Sequence, residues 1–270
     1  MQKKPHQYNQ SLDRGLRILD LYTREIRSLS AKEIADRLGV HATTLYPFLH
    51  TLTEHRYLQV DDQKRYRLGL KLLERVGEIN QVYDVRSVAR RELVRLSRAL
   101  EANTRLAVLY EHDVLYLEQE EGGPQTNVVH TEIVGLRAPS HCTALGKALL
   151  ATLSQYDLAR ILDSIPLTKH TDHTITDREA LASELDLVRE RGYSVEIEES
   201  RLGGACVGAP VYNLSGKAIA AISCSVLASR AHGDELERII GKVVEAAAAI
   251  SKQLGHSAEF GTYEGGDERD

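Results

Sequence analysis

The chain has 270 residues, room for two domains of ordinary size. Its 42% hydrophobic and 27% charged residues match a globular protein in water, and no apolar run approaches the ~20 residues of a membrane-spanning helix. The net charge of −5 hides an asymmetry: residues 1–80 carry 14 Lys and Arg against 10 Asp and Glu, the remainder 20 against 29.

A mildly basic head on an acidic body suits a polyanion-binding module joined to a second unit. Three widely spaced cysteines, Cys142, Cys206 and Cys224, argue against a disulfide framework and for a reducing, cytoplasmic setting. The first residues, Met1-Gln-Lys-Lys-Pro, have no apolar stretch behind their charges, so no secretory signal is expected.

Between Ser11 and Leu21, Leu12, Leu16, Ile18 and Leu19 follow helical spacing, with Ser11 as candidate N-cap. The pattern restarts at Leu29, where Ser30 and Glu33 have capping-box spacing and Gly39 supplies a left-handed stop. A further helix carries Leu45, Phe48, Leu49 and Leu52 on one face. Residues 57–60 and 65–68 read as strands joined by a turn at 61–64. Helix, helix, tight turn, helix and hairpin describe a winged helix-turn-helix. From Gly69 to about Val85 an apolar-periodic segment reads as an interdomain helix, continuing helically to Leu100.

Strand-like runs follow at 104–110, 114–118 and 127–134, then helices at 144–152, 155–163 and 178–191. Strands at 193–198, 206–212 and 218–226 precede a closing helix at 235–254. Paired strands with helices bunched between them predict an α+β fold with an antiparallel sheet, and the stretch from His256 reads as a disordered tail.

A helix entering the major groove presents short polar side chains at its N-terminal end. His41, Ala42, Thr43 and Thr44 open the third helix, with Tyr46 and His50 further along, and Lys64, Arg65 and Arg67 lie on the wing. Double-stranded operator DNA is the expected partner. The alternative is a trihelical packing or dimerisation module.

At these residues the chain resembles the IclR (isocitrate lyase regulator) transcription factors. The likeness runs through Ser11–Leu19, Leu29–Leu52 and Arg65–Leu72, and in the second half through Gly135–Ala151, Cys206–Val211 and Ser223-Cys-Ser225. It implies a winged helix-turn-helix over 1–69, a linker helix over 70–85, a GAF-like effector-binding domain over 86–255 and a tail over 256–270. It also implies dimers or dimers of dimers. Two departures stand out: Pro47-Phe48 occupies the place of the family's recognition-helix arginine, and the glycine usual after that helix is missing at Glu54-His55-Arg56. Proline costs ~3 kcal/mol inside a helix, so the helix is expected to start late, near Thr44, or to bend.

The resemblance implies an effector pocket bounded by Glu196, Cys206, Ser223 and Ser225, covered by Gly135-Leu136 and Ala144-Leu145, with Asn127 and His130 from the preceding strand. The residues themselves are consistent with this, since Ser223 and Ser225 share a strand face and can grip a carboxylate or hydroxyl. Glu196 beside them favours hydroxylated ligands such as sugar acids or hydroxyaromatic acids. No resident cofactor, metal or catalytic residue is expected. The rivals are a thiol enzyme using Cys206 with His141 or His130, metal sensing through His170, His173 and the scattered cysteines, and a redox switch through Cys142, Cys206 or Cys224.

Overall fold

A computed structural model describes residues 9–23, 25–75, 85–122 and 134–256, which fall into two compact units, Met1–Tyr83 and Asp84–Asp270. In the first, α1 (Gln10–Asp20), α2 (Ala31–Leu38) and α3 (Ala42–Glu54) precede a hairpin of β2 (Leu58–Val60) and β3 (Arg65–Leu68). A two-residue strand β1 (Leu29–Ser30), too short to show in the periodicity, pairs with β3 to complete a three-stranded sheet. Ile18, Leu29, Ile34, Leu45, Leu49 and Leu58 meet in one core, so each element contributes its apolar stripe.

The expected N-cap of α1 is corrected: Asn9, not Ser11, caps it, its Oδ1 accepting from the N–H of Ser11 and of Leu12 at 3.1 and 3.0 Å. Ser30 and Glu33 form the complete capping box of α2, and Gly39 closes the helix at φ 66°. The expected late start of α3 is also corrected. The helix begins at Ala42 and runs through Pro47, whose own carbonyl accepts from Thr51 Oγ1 at 2.8 Å. Burial of Leu45 and Leu49 on the opposite face holds the turn that proline's missing N–H weakens.

Helix α3 ends in a Schellman motif, with Tyr57 N–H donating to Leu52 O and Arg56 N–H to Thr53 O, both at 2.9 Å. Arg56, in the stretch where the resemblance implied a glycine, sits at φ 60°. A short helix α4 is described over residues 71–75, and the rest of the expected linker, 76–84, lies outside the described residues.

The second unit opens with α5 (Val85–Leu100) and is built on a six-stranded antiparallel sheet of order β6-β5-β4-β9-β8-β7. Its strands are β4 (Asn103–Tyr110), β5 (Asp113–Glu120), β6 (Arg137–Pro139), β7 (Ser194–Ile197), β8 (Gly204–Tyr212) and β9 (Ala218–Leu227). The helices are α6 (Ala144–Leu150), α7 (Gln155–Ser164), α8 (Arg178–Arg191) and α9 (Gly233–Gln253). The three-residue β6 was not anticipated, and the strand expected at 127–134 lies outside the described residues except for Val134.

Alternation divides the sheet. Ala220, Ile222, Cys224 and Val226 of β9 pack with α5 and α9, whereas Ala221 turns to the other face with Leu145 and Ala148 of α6. Ser223 and Ser225 share the parity of Ala221 and so open towards the α6 side. Helix α6 sits directly on the sheet because residue 208 is glycine. A Cβ there would meet Ala144 C and O at 2.8 Å and Ser194 Oγ at 2.9 Å. Ser194 Oγ donates to Ala144 O at 2.6 Å, fastening the start of the helix.

Beneath α6, Lys147 is 1% exposed and donates to Val195 O at 2.8 Å and to Glu199 Oε1 at 2.6 Å. Burial raises the Glu199 carboxyl above the usual range while Lys147 lowers it.

Candidate DNA-binding face and effector site

The start of α3 is a free polar face. His41, Thr43, Thr44, Tyr46, Pro47 and His50 are exposed while Ala42 is half-buried, and the helix's apolar residues point the other way. Thr43, Tyr46 and His50 lie three and four positions apart, which stacks them on one side of the helix. His50 Nδ1 lies 3.9 Å from Glu54 Oε1.

The wing residues divide. Lys64 and Arg67 project into solvent from a turn that Asp61 organises, its Oδ1 accepting from the N–H of Gln63 and of Arg65 at 3.0 and 2.9 Å. Arg65 is engaged internally: its guanidinium meets Ser28 Oγ at 3.1 Å, Ser28 O at 2.9 Å and Glu33 Oε2 at 3.0 Å. It ties the wing to the capping box of α2.

In the second unit the strand register gathers the polar residues expected from the sequence. Glu196 pairs with Cys206, Cys206 with Ser225, and Ser225 with Asn103, on four adjacent strands. The neighbouring row runs Ser194, Gly208, Ser223, Arg105, Gln119. Glu196, Ser223 and Ser225 are buried, at 2%, 2% and 4% exposure, and Cys206 is half-buried.

A continuous chain of hydrogen bonds crosses the sheet. Arg105 Nη1 donates to Ser225 Oγ at 2.6 Å, Ser225 Oγ lies 3.1 Å from Cys206 Sγ, and the Cys206 thiol is hydrogen-bonded to Glu196. Glu196 also accepts from Glu199 N–H at 3.1 Å and Ser200 Oγ at 3.2 Å. Burial raises the Glu196 carboxyl above the usual range, outweighing these bonds, which lower it.

The expected cover is placed in part. Ala144 lies over Gly208, next in the register to Ser223, and Leu145 packs on Ala107, Val114 and Ala221. Gly135 N–H donates to Tyr116 O at 2.8 Å, and Tyr116 N–H to Leu136 O at 3.0 Å, so this pair flanks Tyr116. Asn127 and His130 lie outside the described residues.

Two polar groups here were missed by sequence reasoning, Arg105 and Tyr116. Burial pushes the Tyr116 phenol up, Arg105 opposing this while Cys206, Cys142 and Glu196 add to it, which places Tyr116 among them. The legible signal was a lone arginine within the apolar run of β4.

Two family profiles between them cover both units. The profile described as IclR helix-turn-helix domain matches residues 11–62, and that described as Bacterial transcriptional regulator IclR C-terminal matches 78–252. The chain belongs to the IclR family of bacterial transcriptional regulators. It is 36% identical over 250 residues to the HTH-type transcriptional regulator XynR of Escherichia coli (strain K12), a match covering 92% of this chain and 98% of that one. It is 33% identical over 249 residues to BhcR of Paracoccus denitrificans (strain Pd 1222), covering 89% and 86%. Among solved structures, the Thermotoga maritima IclR aligns with TM-score 0.74 at 27% identity, covering 92% of this chain and all of that one.

In this IclR regulator the thiols are poor nucleophiles. Burial pushes Cys142, Cys206 and Cys224 each up to about 12, the opposite of the activation a reactive thiolate needs. Cys206 bonds to Ser225 and Glu196 rather than to His141.

His141 is instead a buried neighbour of His170: their ring centroids are 5.8 Å apart, and one ligand atom from each of His141, Cys142 and His170 lies within 4.8 Å of the others. His141 Nε2 donates to Thr168 O at 3.0 Å, and burial holds its imidazole below the ordinary range. His173 is not in this cluster; its Nε2 lies 3.6 Å from Glu198 Oε2. No helix among the described residues is long and apolar enough to cross a membrane.

Proposed function

We propose that this IclR-family regulator binds double-stranded operator DNA through the start of α3, with His41, Ala42, Thr43, Thr44, Tyr46 and His50 entering the major groove and Lys64 at the wing. The observation that carries the reading is the exposed polar face of α3, whose Leu45 and Leu49 are buried in the apolar core behind it. Arg65 belongs to the wing as its internal strut, and Arg67, exposed beside it, contacts the phosphate backbone. Leu12 and Leu16, 63% and 54% exposed on one side of α1, supply apolar surface for self-association into a dimer or tetramer, which two operator half-sites require. The protein is a non-catalytic cytoplasmic regulator.

The effector is an organic acid held against Glu196, Cys206, Ser223 and Ser225 beneath the start of α6. A solved IclR homologue from Microbacterium hydrocarbonoxydans, with TM-score 0.81 and 25% identity, was crystallised as a complex with 4-hydroxybenzoate. An acid with a hydroxyl at its far end suits a row of hydroxyl and thiol groups ending in a carboxyl that burial raises above its usual range.

The test is a mobility-shift assay on the intergenic DNA beside the protein's own gene, run with a panel of sugar acids and hydroxybenzoates. Retention of one DNA fragment over scrambled DNA, altered by at least one acid, is expected. Equal binding to all fragments refutes the operator reading, and retention that no acid alters refutes the effector reading.

A further inference from the structure

Resting on the reading of this site as one for an organic acid, we propose that Arg105 binds the ligand's carboxylate while the Glu196 end receives its hydroxyl groups, so the site is polar in a fixed direction and takes hydroxylated monocarboxylates.

Arg105 stands on β4, between Ser223 of β9 and Gln119 of β5, on the face that carries the effector residues. Its guanidinium is half-buried and is hydrogen-bonded to two neutral acceptors: Ser225 Oγ at 2.6 Å and, at a long 3.5 Å, Gln119 Oε1. No carboxylate lies within ion-pair distance of it among the described residues. In the same unit Arg86, Arg137, Arg178, Arg191 and Arg230 each meet a carboxylate oxygen at 2.7–3.0 Å. An arginine carries five N–H donors in a planar fork that fits a carboxylate side-on, and the two bonds made here leave donors for such a partner. Withdrawing a guanidinium partly from water without an anion is costly, and a bound carboxylate supplies that anion.

The hydrogen-bond chain fixes the other end. Arginine can only donate, so Ser225 Oγ accepts from it and turns its own proton to Cys206 Sγ. The Cys206 thiol then has its proton for Glu196. The chain therefore runs one way, from a cation to a carboxyl group. A second carboxylate placed at Glu196 would set acceptor against acceptor, because the Glu196 oxygens already accept from Cys206, the Glu199 N–H and Ser200, whereas a ligand hydroxyl there can donate. Three strand spacings separate β4 from β7, roughly 14 Å between backbones. That span separates the two ends of the site and matches an acid whose hydroxyl is several bonds from its carboxylate.

The experiment uses the full-length protein and isothermal titration with a panel of aldonates and hydroxybenzoates, each paired with its neutral primary amide. The wild type is expected to bind at least one acid about 10- to 100-fold more tightly than the matching amide, the range of a charge-assisted hydrogen bond. In Arg105→Gln the preference for acid over amide should collapse to within about 3-fold while amide binding stays near its wild-type value, and Arg105→Lys should restore part of it. The amide arm separates ligand recognition from a structural role, because a misfolded site loses both ligands. Circular dichroism and operator binding of each variant report whether it is folded.

If the acid preference survives in Arg105→Gln, the inference is wrong and the effector reading stands. If Arg105→Gln loses acid and amide alike, Arg105 is structural and the inference is again overturned. If the wild type binds none of the acids, the acid-effector reading falls and takes the inference with it.

Discussion

Gly208→Ala tests how the proposed effector site is assembled. The added Cβ would meet the Ala144 carbonyl carbon and oxygen at 2.8 Å and Ser194 Oγ at 2.9 Å, against an ordinary contact of 3.4 Å or more. Two of the three clashing atoms are backbone, so no rotamer change relieves them; the start of α6 must lift. Overpacking of this kind costs about 1–3 kcal/mol. Displacing Ser194 from the buried Ala144 carbonyl, now joined at 2.6 Å, costs a further ~1–3 kcal/mol. A loss of about 2–6 kcal/mol is expected in urea unfolding of the full chain, followed by circular dichroism, together with weakened acid binding. Gly241→Ala in α9 is the control: its Cβ meets nothing within 4 Å, so the same substitution should stabilise by about 0.5–1 kcal/mol. If Gly208→Ala costs less than about 0.5 kcal/mol, or both substitutions act with one sign, the close seating of α6 is refuted.

Arg56→Gly should stabilise the first unit by about 0.5–1 kcal/mol, seen as a higher Tm, because glycine adopts the φ of 60° without a Cβ clash. A fall in Tm would contradict the Schellman assignment. Lys147→Met leaves Glu199 buried without its cation and should cost about 3–5 kcal/mol. Burial already raises the Glu199 carboxyl and Lys147 opposes that, so the variant's folded-state value rises further. Burial favours its neutral form, so the deficit should be small below the ordinary carboxylate range and grow as pH rises through the raised value. A deficit independent of pH would contradict this. Glu196 is likewise raised by burial, so the affinity for an acid should fall as pH rises through that raised value and Glu196 gains its charge, whereas Glu196→Gln should bind with a flat profile by titration calorimetry.

Local signals carried much of the fold. Ser30, Glu33 and Gly39 bound α2 because capping is decided within a few residues, and the wing was legible because Asp61 and the strand residues flanking it act locally. Where two short polar residues competed at the start of α1, the geometry chose Asn9 over Ser11, a choice one turn of chain does not encode. Pro47 misled because its local cost is real, yet Leu45 and Leu49 in the core outweigh it. The effector row was legible only as separate pieces. Arg105 reaches Ser225 across 120 residues, and only the register of β4 on β9 brings them together. Arg65 shows the converse: its charge invited a DNA contact, while tertiary structure commits it to Ser28 and Glu33.

The most direct test of the central claim is a mobility-shift titration of Thr43→Ala, Thr44→Ala and His50→Ala combined, on the operator fragment. These exposed residues leave the core untouched, so the variant should fold with an unchanged Tm. Each direct contact is worth ~1–3 kcal/mol, so operator affinity should fall by at least about 100-fold. Operator binding at wild-type affinity by the folded triple variant would contradict the assignment of the α3 face as the reading surface.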